Sequence, residues 1–166
     1  MSAPRGQKSG LWWLPVAAAV IGLDQWSKAL VVRHIALHAV VRVLPVLDLT
    51  LTYNSGAAFS FLAGQSGWQR WLFTLLALAV AVLITLYLRG LEARRQALLC
   101  LALSLIMGGA LGNLIDRLRI GHVVDFVSAH WHGAYFPAFN LADSSITLGA
   151  VLLFIDVWRG RGAAAG

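Results

Sequence analysis

The sequence predicts an integral membrane protein of mainly α class: four transmembrane helices with a small β-sheet on the outer side. Three observations carry that expectation. Hydrophobic residues fill 59% of the 166 positions and charged residues only 12%, about half the charged share of a soluble domain. The apolar residues gather in long runs close to the ~20-residue length that a helical span needs. Tryptophans and basic residues stand at the ends of those runs, as they do at membrane–water interfaces.

The first span is expected over about residues 11–32. A short polar start with Arg5 and Lys8 precedes it, and Pro15 lies near its beginning, where a helix tolerates proline. A basic start and an apolar stretch also outline a secretory signal. Here Ala17–Ala19 sit in mid-run and the apolar pattern resumes after Lys28, so the segment reads as an uncleaved span. The second, third and fourth spans are expected over about 71–88, 97–115 and 141–158, the last opening on Asp143-Ser144-Ser145. Such a chain, 1–166, reads as a single membrane domain with both ends on one side. Arg5, Lys8, Arg89, Arg94, Arg95, Arg159 and Arg161 collect on that side, and Arg33, Arg42, Arg70, Arg117 and Arg119 on the other. The bias puts both termini in the cytoplasm.

The outer segments then cover about 33–70 and 116–140. Leu47-Asp48-Leu49-Thr50-Leu51-Thr52-Tyr53 alternates apolar with polar, a half-buried strand pattern with the leucines turned inward. Val40–Leu44 is β-branched, and Ala57–Leu62 is placed to pair back across the turn-forming Asn54-Ser55-Gly56.

Composition also sets aside several classes of function. Cys100 is the only cysteine, so neither an internal disulfide nor a cysteine-based metal site is expected. His122, His130 and His132 lack helical metal-ligand spacing and an acid in register, so no metal or cofactor is expected. The net charge of +6 is spread over the ends of the apolar runs and does not form a phosphate footprint, so nucleic acid is not the expected partner.

What remains is a set of polar residues inside or beside the apolar runs. Acids there are costly and mark function by default. Alternation of the spans brings Asp24, Lys28, Asn113, Asp116, Arg117 and Asp143 towards one side of the membrane. Asp24 with Lys28, and Asp116 with Arg117, have basic neighbours and read first as neutralised pairs anchoring helix ends. Asp125, in Val-Val-Asp-Phe-Val, and Asp143, at the start of the last span, have none. Two such acids in a dry region share one proton. The ionised one can activate a water against a peptide carbonyl while the protonated one donates to the oxyanion. The helix that follows Asp143 favours its anion, which leaves Asp125 as the more readily protonated partner. A proton-coupled transporter is the rival from another class, but the chain has no inverted repeat to build a through-path.

Five blocks in order make the reading specific: Asp24-Gln25-Trp26-Ser27-Lys28, Asn54-Ser55-Gly56-Ala57-Ala58-Phe59, Gly108-Gly109-Ala110-Leu111-Gly112-Asn113-Leu114-Ile115-Asp116-Arg117, Val124-Asp125-Phe126 and Phe139-Asn140-Leu141-Ala142-Asp143-Ser144. From about Asp24 to Asp156 the chain resembles the prolipoprotein signal peptidases (signal peptidase II), four-span aspartic proteases of the bacterial inner membrane. The resemblance implies cleavage just before a diacylglyceryl-modified cysteine, with Asp125 and Asp143 as the catalytic dyad near the periplasmic side. Asn54, Gly56, Asn113, Arg117 and Asn140 would line the site, and Asp24, Lys28 and Asp116 would support it. It further implies that the extracytoplasmic β-sheet is a cradle and a periplasmic loop or helix a lid, with lipid-modified precursors and membrane lipid as partners, the cyclic peptide globomycin as inhibitor, no cofactor, and a monomer. Gly108, Gly109 and Gly112 read as close helix contacts, and Phe59 and Phe139 as walls.

Overall fold

Each long apolar run folds as a helix, because a backbone held away from water must satisfy its own amides. The computed structural model describes residues 8–55 and 67–163, with side chains to 160. A 3-10 turn over Gly10–Trp13 leads into α1 (Leu14–His34), which carries Pro15 in its first turn. Then come α2 (Trp68–Gly90), α3 (Ala97–Ile120) and α4 (Leu141–Ala163). α2, α3 and α4 extend beyond the apolar runs that predict them, while α1 both starts and ends later than its run. In α3 this changes the placement of two residues: Asp116 and Arg117, expected to open an outer segment, lie in the last turns of the helix. That helix stops at Gly121, whose φ of +82° is the left-handed cap that glycine supplies without strain.

α3 is the spine, and α1, α2 and α4 all pack against it. Of its apolar window 61% is buried, against 22% for α2 and 17% for α4. Glycines permit the closest approaches. A Cβ on Gly149 of α4 would stand 2.7 Å from the Ala102 carbonyl of α3, and one on Gly109 of α3 would collide with the Ala142 carbonyl of α4. The outward faces of α2 and α4 stay apolar and exposed, at Leu75, Leu83, Leu86, Val151 and Phe154 among others. Helices α2, α3 and α4 are long and apolar enough to cross a membrane, and bilayer hydrocarbon is the medium in which such faces rest without penalty. α1 carries Asp24 and Lys28 in mid-helix, both fully or almost fully buried.

The outer segments form an antiparallel sheet in the order β1-β2-β3-β4, from β1 (Val40–Leu44), β2 (Leu47–Asn54), β3 (Val123–Trp131) and β4 (Ala134–Tyr135). The first two match the expected strands. The pairing foreseen for Ala57–Leu62 lies outside the described residues. β3 is the partner that β2 takes here, with Thr52 opposite Asp125 and Asn54 opposite Val123. Because β2 is an inner strand, its alternation does not sort polar from buried. Asp48 and Thr50 are buried along with Leu51, and the Asp48 carboxylate lies 3.2 Å from His130 Nε2 and 3.9 Å from Arg42 Nε.

Candidate active site

Two strand pairings and one helix start bring the unpaired acids together. The β2–β3 register sets Asn54 beside Asp125, and its Nδ2 donates to Asp125 Oδ2 at 3.0 Å. On the other side of β3, Phe139 bridges to Val127, its N–H donating to the Val127 carbonyl at 2.9 Å and its carbonyl accepting from Val127 N–H at 2.8 Å. That delivers Asn140 to the same place, where its Nδ2 donates to Asp125 Oδ1 at 2.7 Å. Asn140 immediately precedes α4 and caps it. Its Oδ1 accepts the Asp143 N–H at 2.9 Å, while Asp143 Oδ2 accepts the Asn140 N–H at 3.2 Å. This is the reciprocal capping pattern, with asparagine and aspartate in place of serine and glutamate. The free oxygen of the cap, Asp143 Oδ1, accepts from Asn113 Nδ2 at 2.8 Å. Asn140 Nδ2 also reaches Asn113 Oδ1 at 3.1 Å. The two acids thus share Asn140, while Asn54 holds Asp125 and Asn113 holds Asp143.

A second polar layer lies behind the first. Lys28 Nζ sits 2.8 Å from Asp24 Oδ2, 2.8 Å from Asp116 Oδ2 and 2.9 Å from Asn113 Oδ1. The Lys28 contact fixes the Asn113 amide with oxygen towards the ammonium and nitrogen towards Asp143. Asp116 is neutralised by this lysine from α1, across the bundle; sequence adjacency had suggested Arg117. The same acid accepts the Val124 N–H at 3.1 Å, pinning β3 one residue before Asp125. Asp24 Oδ1 accepts the Ala142 N–H at 3.0 Å, one residue before Asp143. Arg117 faces the site, its guanidinium 5.1 Å over the Phe73 ring and donating weakly to the Asn113 carbonyl at 3.5 Å.

Gln25 is a supporting residue that sequence reasoning did not single out. Its Nε2 donates to Asp116 Oδ1 at 2.9 Å and to the Gly112 carbonyl at 3.1 Å, tying α1 to α3. The available signal was its place inside the Asp24–Lys28 block. Gly56 and Phe59 lie outside the described residues.

The polar atoms of Asn54, Asn113, Arg117, Asp125 and Asp143 open onto a cavity of about 860 Å³ between α2, α3 and α4. Apart from Ser144 and Thr147 its remaining wall is apolar, with Leu76 and Val80 from α2, Ile106 from α3, Ile146 and Val151 from α4, and Phe136 and Phe139 from the segment before α4. Asp125 is only 3% exposed. Burial first, and then the nearby charge of Asp143, push its carboxyl up to about 7, against the restraining hydrogen bonds from Asn54 and Asn140. Asp125, on β3 and outside the helices, therefore holds a proton to near neutrality, the direction expected from its apolar surroundings. A protonated acid beside a second, amide-held acid at the head of a largely apolar cleft can exchange protons with a substrate held there.

Fold and cleft together define a multi-pass membrane protein with a polar centre buried at one end of its helix bundle. Two solved structures described as bacterial membrane enzymes share this fold. One has a TM-score of 0.79 at 31% identity, covering 89% of this chain and 87% of that one. The other has a TM-score of 0.75 at 32% identity, covering 87% and 91%. The family model for signal peptidase (SPase) II matches residues 16–159. A lipoprotein signal peptidase of Pseudomonas aeruginosa is 50% identical over 151 residues, 90% of this chain and 89% of the relative. One from Pseudomonas fluorescens is 47% identical over 158 residues, 94% and 92%. The chain belongs to the signal peptidase II family, a family of membrane proteases.

Proposed function

We propose that this protein is an aspartic endopeptidase that removes the signal peptide of bacterial prolipoproteins, cutting on the N-terminal side of the diacylglyceryl-modified cysteine. The observation that carries the reading is that Asp125 and Asp143 share Asn140 at the head of a cleft with apolar walls. In the resting state Asp125 holds the proton and Asp143 is the anion. Asp143 takes a proton from a water, whose oxygen attacks the scissile carbonyl. Asp125 gives its proton to the carbonyl oxygen, so a neutral gem-diol forms. As the diol collapses, Asp125 recovers a proton from one hydroxyl, Asp143 delivers its proton to the amine, and the C–N bond breaks. Each acid ends as it began, and the reaction needs no covalent intermediate.

The other residues follow from these roles. Asn54 and Asn140 hold both oxygens of Asp125, and Asn54 stands at the cleft where an extended peptide would lie. Arg117 offers a permanent charge to a peptide carbonyl or a lipid phosphate. Leu76, Val80, Ile146 and Val151 would receive the acyl chains of the modified cysteine and the apolar signal helix, each buried methylene contributing about 0.8 kcal/mol. Helix α1 crosses the bilayer as a fourth span: its mid-helix charges, Asp24 and Lys28, pair inside the bundle, and Leu23, Trp26 and Leu30 face outward. With four spans in the inner membrane, both termini are cytoplasmic and the dyad faces the periplasm, beneath a cradle formed by the sheet and a lid formed by the loop before α4. The enzyme acts as a monomer forming one membrane domain, and globomycin-type cyclic peptides occupy the same cleft.

The test is cleavage of a lipid-modified precursor by membranes carrying Asp125→Asn or Asp143→Asn at wild-type abundance. Each change is expected to lower turnover by about 10³-fold or more, and mass spectrometry of the wild-type product is expected to find the lipidated cysteine at its N-terminus. Wild-type turnover in either variant would refute the dyad, and a product beginning elsewhere would refute the cut site.

A further inference from the structure

At the end of the bundle remote from the dyad, the start of α1 and the α2–α3 connection enclose a second cavity, of about 760 Å³. Its walls are Lys8, Trp12, Trp13, Glu92, Arg94 and Arg95, together with the Ala93 backbone. We propose that this cavity binds the phosphate headgroup of an anionic membrane phospholipid.

The walls are held in place by backbone contacts. Ser9 and Glu92 form an antiparallel bridge, Gly10 N–H donates to the Leu91 carbonyl at 2.8 Å, and Ala93 N–H donates to the Lys8 carbonyl at 2.9 Å. Trp13 Nε1 donates to the Ala93 carbonyl at 3.0 Å, and Glu92 N–H is satisfied by Gln96 Oε1 at 2.9 Å. The N-terminal segment is thereby stitched to the α2–α3 connection, and the cavity exists before a ligand enters it.

Its charge is unbalanced. Three cations face one carboxylate, and among the described residues neither Arg94 nor Arg95 is within ion-pair distance of an acid. Lys8 lies with its ammonium 3.2 Å from the Trp12 ring centroid, a contact that keeps the charge at the mouth without neutralising it. Arg94 and Arg95 offer planar forks suited to phosphate oxygens. Glu92 would repel a second anion and accept from a headgroup hydroxyl, which favours a glycerol-type phosphodiester over a dianionic phosphate.

A lipid is favoured over a free phosphate by position. The cavity sits at helix ends, beside the 64%-exposed Trp12 and next to apolar helix faces that acyl chains would cover. Basic pockets between spans recognise anionic headgroups in this way. The inference rests on the helices lying in a bilayer and is independent of which residues catalyse.

The test uses the full chain in detergent, titrated with dioleoyl phosphatidylglycerol, with dioleoyl phosphatidylcholine, and with sodium glycerol 3-phosphate, bound species being counted by native mass spectrometry. Phosphatidylglycerol is expected to bind about tenfold or more tighter than phosphatidylcholine, and the double change Arg94→Gln with Arg95→Gln is expected to erase that preference. Arg33→Gln with Arg119→Gln, the same charge change on exposed arginines at the other end, is expected to preserve it. Equal loss in both doubles, or none in the first, would overturn the site. Displacement of the lipid by an equal concentration of glycerol 3-phosphate would assign the cavity to a soluble phosphate and overturn the lipid.

Discussion

Asp125 holds a proton at a pH where most carboxyls have lost theirs, and that single property makes the pH profile of the enzyme predictable. Its pKa is raised from 3.8 to about 7. Turnover that needs this proton should fall by about tenfold per pH unit above that value, and a kcat/KM profile on lipid-modified precursor checks it. The same shift acts on stability. The folded state binds the proton more tightly than the unfolded chain, so the contribution is fully present below 3.8 and is lost as pH rises through about 7. Thermal unfolding of Asp125→Asn in detergent should therefore lose less stability between pH 5 and pH 8 than the wild type does. Lys28 is the other residue on which much depends. Replacing it with methionine leaves Asp24 and Asp116 buried without their shared cation, and removing one partner of a buried pair costs about 3–5 kcal/mol. A denaturation midpoint unmoved by Lys28→Met would show that these acids do not need it.

Among the elements, α4 is the one whose position matters most, because its first turn carries Asp143 and its cap touches Asp125. Gly109 and Gly149 let it lie against α3. Gly109→Ala puts a methyl group into the Ala142 carbonyl and against Ile146, so α4 must move just where Asp143 begins. Overpacking of this kind costs about 1–3 kcal/mol, and activity should fall more than stability does. Gly22→Ala is the control: its Cβ meets nothing within 4 Å, and alanine should stabilise α1 by up to about 1 kcal/mol. Unfolding midpoints and precursor cleavage measured on both variants separate close approach from helix propensity. The helices were legible in the sequence because hydropathy is a property of each run by itself. Their ends were less so. Asp116 and Arg117 look like the beginning of a loop until Lys28, Asn113 and Asp125 are seen around them, and only then does a charged last turn become inexpensive.

At the scale of the whole molecule, the same distinction separates what could be read from what could not. The unpaired character of Asp125 and Asp143 is visible in their neighbours along the chain, and so was the expectation that they work together. Asn140, which joins them, was visible only as a motif residue, since its role depends on strand register and on the start of a helix. Asp48 shows the limit most plainly: its alternating strand predicts a solvent-facing acid, and tertiary packing buries it beside His130. Ion pairs between distant segments, such as Lys28 with Asp116, leave no periodicity to detect.

The bond from Ala142 N–H to Asp24 spans 118 positions of the chain. Asp24 on α1 thus waits for a backbone donor that is translated far later, and the polar centre is complete only once α4 has been made.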